Sequence, residues 1–376
     1  MNKHKISPQL LNEVNVLNTN NTNYKKNCEK SKFVFVFSNN FKKTEHFLIN
    51  NKIFYTAYPF IGCFCVYADL DDLNILSYQN EIIYINTNTS VQALSHEQDF
   101  INISALTENK FFGLGVTICY IDTGIYPHLD FVFPHNKIIK FIDLINNETD
   151  PYDDNGHGTF VSGICSGGGI FSTSKKGIAP EANIISIKAL KSSGESSSNV
   201  ILDAMQWVYE NYKKYKISIV CMSFGADFLD KHDPLAKGAQ ALWDLGITVV
   251  AAAGNSGPKS SSIKSPGTNP KIITVGALDI STLSAANFSS RGPTIYGNKP
   301  DLLAPAVNLV SCNHLSLPYT QMSGTSVATP IVAGVCAIIK QKHPNFTNNQ
   351  IKKYLLSHCI PITHNINIEG YGYLQF

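Results

Sequence analysis

Four polar residues stand in sequence settings that suit nucleophilic catalysis. Asp122 ends an apolar run in YIDTGIYPHLD, His157 lies between two glycines in DDNGHGTF, Asn255 follows VVAAAG, and Ser326 precedes the apolar run IVAGVCAII. A serine hydroxyl is a weak nucleophile near neutral pH, so it needs a base and an acceptor that orients that base. A side-chain amide and a backbone N–H at a helix N-terminus can stabilise an oxyanion. The four residues together predict acyl transfer.

Each of these residues also has a simpler structural explanation when it is taken alone. Asp122 suits a turn after a strand, and Ser326 suits the cap of a helix. A histidine between glycines is approachable by another part of the chain, because its backbone can tilt freely. The chemical interpretation therefore depends on all four residues meeting at one place.

The elements predicted around these residues would bring them together. VTICYI (116–121), NIISIKAL (183–190), SIVCMSF (218–224), ITVVAAAG (247–254) and KIITVGA (271–277) are apolar on both faces, which is typical of buried parallel strands. Helices are predicted between them, such as the amphipathic 199–216 segment. Residues just beyond the carboxyl ends of parallel strands line the site of an open α/β sheet. An α/β domain with a mostly parallel central sheet is the predicted fold.

A different pattern precedes this domain. Residues 1–30 are polar and rich in Asn and Lys, and they predict a mobile arm. Residues 31–86 follow the order β-α-β-β-α-β, which is typical of a small ferredoxin-like α+β unit. Residues 87–104 are polar and predict an exposed linker. The α/β domain then occupies residues 105–376.

Several separated motifs resemble those of the subtilisin-like serine proteases. They are DTG from 122, NGHGTFVSG from 155, AAAGNSG from 251 and GTSVATPIVAG from 324, in the family's order of Asp, His and Ser. IDTGIYPHLD and PYDDNGHGT look most like the leaderless intracellular AprX-type branch. The resemblance implies a three-layer subtilisin-like domain and a serine endopeptidase. It implies that Asp122 orients, His157 is general base and then acid, Ser326 attacks the scissile carbonyl, and Asn255 donates to the oxyanion.

The resemblance also assigns substrate-binding segments. In the family, one exposed edge pairs with an extended substrate and a second segment forms the opposite wall. Phe224 is expected to help line the pocket for the fourth residue before the cut. The matching residues are Ser223, Phe224 and Gly225 for the edge, and Ala252, Ala253 and Gly254 for the wall.

Lys264 departs from the family pattern. It falls near the base of the primary specificity pocket, where a glycine or another small residue is common. One hypothesis is that Lys264 shortens this pocket or favours an acidic side chain there. The alternative is that Lys264 extends its ammonium group to solvent.

The resemblance gives the N-terminal unit a role as well. Related proteases carry an inhibitory prodomain that templates folding and places its C-terminal tail in the active-site cleft. A parallel sheet with long-range pairings folds slowly, which gives such a template a physical purpose. Self-cleavage is predicted within the linker, and the alternative is an unrelated appended domain. The expected partners are polypeptide substrates and the chain's own prodomain as an intramolecular inhibitor.

Composition argues against several other function classes. The 376 residues include 30 Lys and Arg against 28 Asp and Glu, a net charge of +2, so nucleic-acid binding is not expected. No apolar run reaches the roughly 18 residues of a membrane span, and the N-terminus lacks the apolar core of a secretory signal. No membrane partner and a cytoplasmic location are expected, with leaderless export left open. Nine cysteines in mostly apolar segments predict free thiols.

No cofactor and no metal are predicted to be required. The Cys63 and Cys65 spacing is unlike a zinc knuckle. Asp130 lies near a calcium position of the family, but its oxygen-ligand set is incomplete in the sequence, so structural calcium stays possible and unsupported. Two rival functions have less support from the sequence. A pseudoprotease that binds a partner has no need of all four residues, and an esterase of another α/β fold requires a G-x-S-x-G elbow that the sequence lacks.

Overall fold

The computed structural model describes residues 1–12, 32–93, 111–228 and 230–375. Its first unit is a four-stranded antiparallel sheet with two helices. The elements are β1 (Lys32–Ser38), α1 (Phe41–Asn50), β2 (Tyr55–Tyr58), β3 (Cys63–Ala68), α2 (Leu70–Tyr78) and β4 (Ile82–Thr87). The strands lie in the order β2-β3-β1-β4, which is the predicted β-α-β-β-α-β arrangement.

Local sequence explains where the two helices of this unit begin. The side chain of Asp69 accepts a hydrogen bond from the N–H of Asp72, and the Asp72 side chain accepts one from the N–H of Asp69. This reciprocal pair is a capping box, which satisfies two otherwise unpaired N–H groups of α2. Asn40 caps α1 by a single hydrogen bond, which its side chain accepts from the N–H of Lys43. Val34, Val36 and other apolar side chains fill the space between sheet and helices.

Residues 1–12 differ from the predicted polar arm. Lys3–Lys5 form a single 3₁₀ turn, and Ile6 then pairs with Ile85 of β4 in a parallel bridge. The side chains of Ile6 and Leu10 are buried. Polar composition predicts a mobile arm here because an average over the segment hides two apolar residues, Ile6 and Leu10. Residues 13–31 of the predicted arm lie outside the described residues.

The second unit is built on a large, mostly parallel sheet. Its path is β18-β19-β15-β13-β12-β10-β6-β8-β7, and β14 pairs with β13. The strands of this path are β6 (Thr117–Asp122), β7 (Ile138–Asp143), β8 (Asn183–Lys188), β10 (Ile217–Met222), β12 (Thr248–Ala252), β13 (Ile273–Asp279), β14 (Ser284–Ala285), β15 (Leu302–Pro305), β18 (Cys359–Ile360) and β19 (Tyr373–Leu374). Two smaller sheets contain β5 (Ser90–Ala93), β9 (Glu195–Ser197) and β11 (Phe224–Ala226), and β16 (Leu309–Cys312) and β17 (Tyr319–Met322).

Helices cover the large sheet. They are α3 (Leu129–Val132), α4 (His157–Ser166), α5 (Ser198–Tyr215), α6 (Pro234–Asp244), α7 (Thr325–Lys342), α8 (Asn348–Leu356) and α9 (Ile366–Glu369); 3₁₀ turns lie at Pro59–Ile61 and Thr173–Lys175. α7 is buried along most of its length and packs against β10, β12, β13 and β15. All side chains of β6 and β12 are buried, as expected of central parallel strands.

Aromatic side chains of the first unit contact the second. The Tyr58 hydroxyl donates to Asp203 of α5 at 2.7 Å, and the Tyr84 hydroxyl donates to Asp230 at 2.5 Å. The Tyr84 ring also stacks on His232, with ring centroids 4.1 Å apart. Lys237 of α6 places its ammonium 4.1 Å from the centre of the Phe37 ring. The two units are thus joined by stacking and by hydrogen bonds to carboxylates.

Candidate active site

The predicted site residues lie at one edge of the large sheet. Asp122 is the last residue of β6, Ser223 directly follows β10, and Asn255 comes three residues after β12. Because β6, β10 and β12 are neighbouring parallel strands, their carboxyl ends meet at this edge. His157 is the first residue of α4 and Ser326 lies in the first turn of α7.

Asp122 and His157 are in direct contact. The Oδ1 atom of Asp122 lies 2.7 Å from Nδ1 of His157. The Asp122 side chain is 1% exposed and that of His157 is 2% exposed. An ionised carboxylate only accepts hydrogen bonds, so Nδ1 must donate. This tautomer leaves Nε2 as the basic nitrogen of the ring.

Asp153 holds the loop that carries His157, and the sequence analysis did not single it out. One carboxylate oxygen accepts from the hydroxyl of Thr123 and from the N–H of Gly156, and the other accepts from the N–H and hydroxyl of Thr159. Burial alone raises the pKa of Asp153, but these hydrogen bonds outweigh it and hold the pKa below its usual range. Asp153 therefore fastens the start of α4 to the end of β6.

Gly158 permits a close approach next to His157. A Cβ atom at this position would overlap the backbone oxygen of Gly124. The Gly158 N–H donates to the Thr123 hydroxyl at 2.8 Å. A glycine is required here because the first turn of α4 packs directly on the backbone after β6.

A proline sets the surroundings of Ser326. Pro330 lies four residues after Ser326 inside α7, and proline has no N–H, so the Ser326 carbonyl has no helical donor. The hydroxyl of Ser223 donates to that carbonyl instead, at 2.9 Å. Among the described residues, the Ser326 hydroxyl itself has no hydrogen-bond partner. Its oxygen is therefore not engaged elsewhere.

Thr325 fixes the orientation of the Asn255 amide. The Oδ1 atom of Asn255 accepts from both the N–H and the hydroxyl of Thr325, at 3.0 and 2.9 Å. Two donors on the oxygen identify it, so the NH₂ group must be on the opposite side of the amide. Thr325 is a residue that the sequence motif contains but the sequence analysis gave no role.

The edge strand predicted to bind substrate is occupied by the chain itself. β5 pairs antiparallel with β11 on one side, with Ala93 opposite Phe224 and Gln92 opposite Gly225, and with β9 on the other side. Ser223, Phe224 and Gly225 are buried in this arrangement. Residues 90–93 of the predicted linker thus form a strand whose backbone is paired on both sides, and residues 94–104 lie outside the described residues. The second partner, Glu195–Ser197, was not named from the sequence.

The sequence of this chain matches a known protein family. The sequence profile described as the Subtilase family matches residues 113–372. The chain belongs to the subtilase family. Family membership makes it a subtilisin-like serine endopeptidase, a hydrolase that acts on peptide bonds.

Individual subtilases cover most of the chain. "Serine protease AprX" of Bacillus subtilis (strain 168) is 40% identical over 318 residues, which are 75% of this chain and 70% of that protein. "Subtilisin DY" of Bacillus licheniformis is 34% identical over 269 residues, 71% of this chain and 91% of that protein. The crystal structure of a cold adapted subtilisin-like serine proteinase superposes with a TM-score of 0.59 at 30% identity, over 71% of this chain and 89% of that one. The predicted family and fold are confirmed.

Lys264 lies beside the cleft of this subtilase. Its backbone N–H donates to the oxygen of Ala253 at 2.8 Å, and its ammonium group forms an ion pair with Asp227. The ammonium group is thus neither free in solvent nor an unpaired charge in the cleft. Ala252 is the last residue of β12, and Ala253 and Gly254 connect it to Asn255.

The described residues contain one group with ligand atoms close enough for a metal ion. His128, Asp130 and Cys312 are buried, and one ligand atom of each lies within 4.8 Å of the others. The Asp130 carboxylate already accepts hydrogen bonds from the N–H groups of Gly169 and Ile170. The Asp130 carboxylate therefore also orders the backbone at residues 169 and 170.

Among the helices of the described residues, none is both long and apolar enough to cross a bilayer.

Proposed function

We propose that this subtilase cleaves polypeptides through Asp122, His157 and Ser326 and that it is made as a zymogen. The observation that carries the assignment is the buried 2.7 Å hydrogen bond between Asp122 and His157; Ser326 lies in the first turn of α7. A buried carboxylate beside Nδ1 fixes the tautomer and stabilises the imidazolium that forms.

The chemical steps follow from these roles. Nε2 of His157 takes the proton of Ser326 as Oγ attacks the scissile carbonyl, and an acyl-enzyme forms when the protonated imidazole delivers that proton to the leaving amine. Water then attacks the ester with His157 as base again. The NH₂ group of Asn255 and the N–H of Ser326 donate to the oxyanion in both halves of the reaction.

The first unit is proposed to be an inhibitory prodomain. The strand that follows this unit in the chain, β5, lies between β9 and β11 as an extended substrate chain lies on an edge strand. The antiparallel register runs from Val91 opposite Ala226 to Ala93 opposite Phe224, so it advances towards Ser223, the residue that contacts Ser326. We therefore place the self-cleaved bond shortly after Ala93, among residues outside the described ones.

Substrate polypeptides are proposed to bind in place of β5 after its release. Backbone pairing would come from Ser223, Phe224 and Gly225, and Ala252, Ala253 and Gly254 would form the opposite wall. The proposed pocket for the side chain before the cut ends at Lys264. Phe224, which is fully buried, would bound the pocket for the fourth residue before the cut.

A cytoplasmic location without a required cofactor is part of the proposal. The eight described cysteines are all free thiols, and burial raises the pKa of thiols such as Cys221 well above the usual value. Unpaired, unreactive thiols are compatible with a reducing compartment. Structural calcium is not built into this proposal.

The test is intact mass over time for the wild-type chain beside Ser326→Ala. We expect the wild type to lose about its first 93 to 100 residues and Ser326→Ala to remain whole. The alternative is a pseudoprotease scaffold that binds a partner without turnover. It predicts two stable, full-length proteins and no labelling of Ser326 by a fluorophosphonate probe, whereas a zymogen awaiting another protease would be labelled after that protease acts.

A further inference from the structure

The segment that holds Lys264 links the two sides of the cleft. Lys264 is hydrogen-bonded to Ala253, and Ser265 exchanges two backbone hydrogen bonds of 2.9 Å with Ala226. Both sides reach the start of α7, because the Ser223 hydroxyl contacts the Ser326 carbonyl and the Gly254 N–H donates to Thr325. Lys264 therefore lies where the walls beside Ser326 meet.

The Lys264 side chain crosses from one wall to the other. A Cβ atom added at Gly254 would overlap Cγ of Lys264, so the aliphatic stem lies against this wall. The ammonium group ends at Asp227, the residue directly after β11 on the other wall. The Lys264 side chain is 24% exposed and that of Asp227 is 81% exposed.

The same ion pair borders a cavity of about 560 Å³. Phe228, Ser256, Ile263 and Ile295 are among its other lining residues. Lys264 thus touches both the Gly254 wall and this cavity.

We propose that Asp227 is a specificity-determining residue that neutralises Lys264 at the floor of the pocket for the side chain before the cut. A lone ammonium at this place would attract Glu, and a lone carboxylate would attract Lys or Arg. Because each charge compensates the other, the wild-type pocket accepts uncharged side chains and separates Glu from Gln only weakly. The inference rests on the proposed function, since it takes this pocket to receive substrate.

The experiment measures kcat/KM for peptides that differ only in the residue before the cut, which is Glu, Gln, Lys or Met. Asp227→Asn leaves Lys264 charged alone, and we expect the Glu/Gln ratio to rise about fivefold, as for a partly exposed ion pair. Lys264→Met leaves Asp227 charged alone, and we expect the Lys/Met ratio to rise about fivefold. The double variant carries neither charge and is the matched control, with both ratios close to those of the wild type.

Two kinds of failure can be told apart. Peptides that turn over with Glu/Gln and Lys/Met ratios within twofold of the wild type in both single variants would overturn the role of Asp227 alone. Wild-type protein that hydrolyses none of the peptides, with or without its first 93 residues, would overturn the proposed function and this inference with it. The two single variants change opposite charges, so a general loss of activity in one of them leaves the other as an independent test.

Discussion

The hydroxyl of Ser223 should stabilise the start of α7, because it donates the hydrogen bond to the Ser326 carbonyl that Pro330, which lacks an N–H, cannot donate. Ser223 and Ser326 are both fully buried, and the Ser223 hydroxyl donates to the Ser326 carbonyl, for which the helix supplies no N–H. Ser223→Ala would strand that carbonyl, at a cost of about 1–3 kcal/mol in the free energy of unfolding. For a domain of this size each kcal/mol lowers Tm by about 2–4 °C.

The assay is thermal unfolding in a Ser326→Ala background, which prevents self-digestion. A double-mutant cycle isolates the cause, since Pro330→Ala supplies an N–H four residues after Ser326. We expect Ser223→Ala to cost less than about 1 kcal/mol once Pro330 is replaced. Ser186→Ala is the control, because Ser186 is buried and its hydroxyl has no partner among the described residues. Equal losses in Tm with and without Pro330 would refute this reasoning.

Three further predictions concern Asn255, Asp153 and His232. Asn255→Ala should lower kcat by about 10² to 10³ with KM little changed, which is the loss that removal of an oxyanion donor causes in subtilisin. Steady-state kinetics measure this, and a changed KM with an unchanged kcat would contradict the oxyanion role. Asp153→Asn should lower Tm at pH 7 and flatten its decline in acid, because the depressed pKa of Asp153 contributes stability above the unfolded pKa of about 3.9 that is lost as pH falls through the lower folded value; a thermal profile parallel to the wild type would oppose this. Burial, to which the stacked Tyr84 ring contributes, is the largest cause that lowers the pKa of His232. The charges of Lys237, Asp230 and Lys231 belong to the second unit itself and act with or without docking. Because burial favours the neutral ring, docking should weaken as pH falls below about 6.5. Binding of the separated first unit to the second at pH 5 and 7.5 measures this, and His232→Phe, which keeps a ring without a charge, should remove the pH dependence.

The central fold could be predicted because its signal is local. The apolar runs at 116–121, 183–190 and 247–254 match strands β6, β8 and β12 to within two residues, since a strand buried on both faces needs apolar side chains at every position. Asp69 likewise marks the start of α2 by its own side chain. β7 was not predicted, because two of its six residues, Ile139 and Lys140, are exposed and its pattern is weaker.

The sequence indicates which residues could take part in the reaction, but it does not indicate which residues position them. Asp122, His157, Asn255 and Ser326 are recognisable by type and by neighbouring glycines, but the residues that hold them are not. Asp153 is one acid in a polar run, and its value comes from Thr123, which lies 30 positions away. Asp227 is paired with a lysine 37 positions further along. Such pairs depend on the folded backbone and leave no spacing signal in the chain.

Strand β5 could not be predicted from the sequence, for a different physical reason. The polar run at 87–104 predicts a linker because buried strands are usually recognised by their apolar side chains. Pairing of β5 with β9 and β11 uses backbone N–H and C=O groups, which every non-proline residue carries, so no side-chain pattern is needed. The Thr89 carbonyl accepts from the Ser198 N–H at 2.8 Å and also from the Ser198 hydroxyl at 3.0 Å, so this contact at the start of α5 does use a side chain. A segment held by backbone pairing can be replaced by another extended peptide of different sequence, which is the property that both a removable inhibitor and a varied set of substrates require.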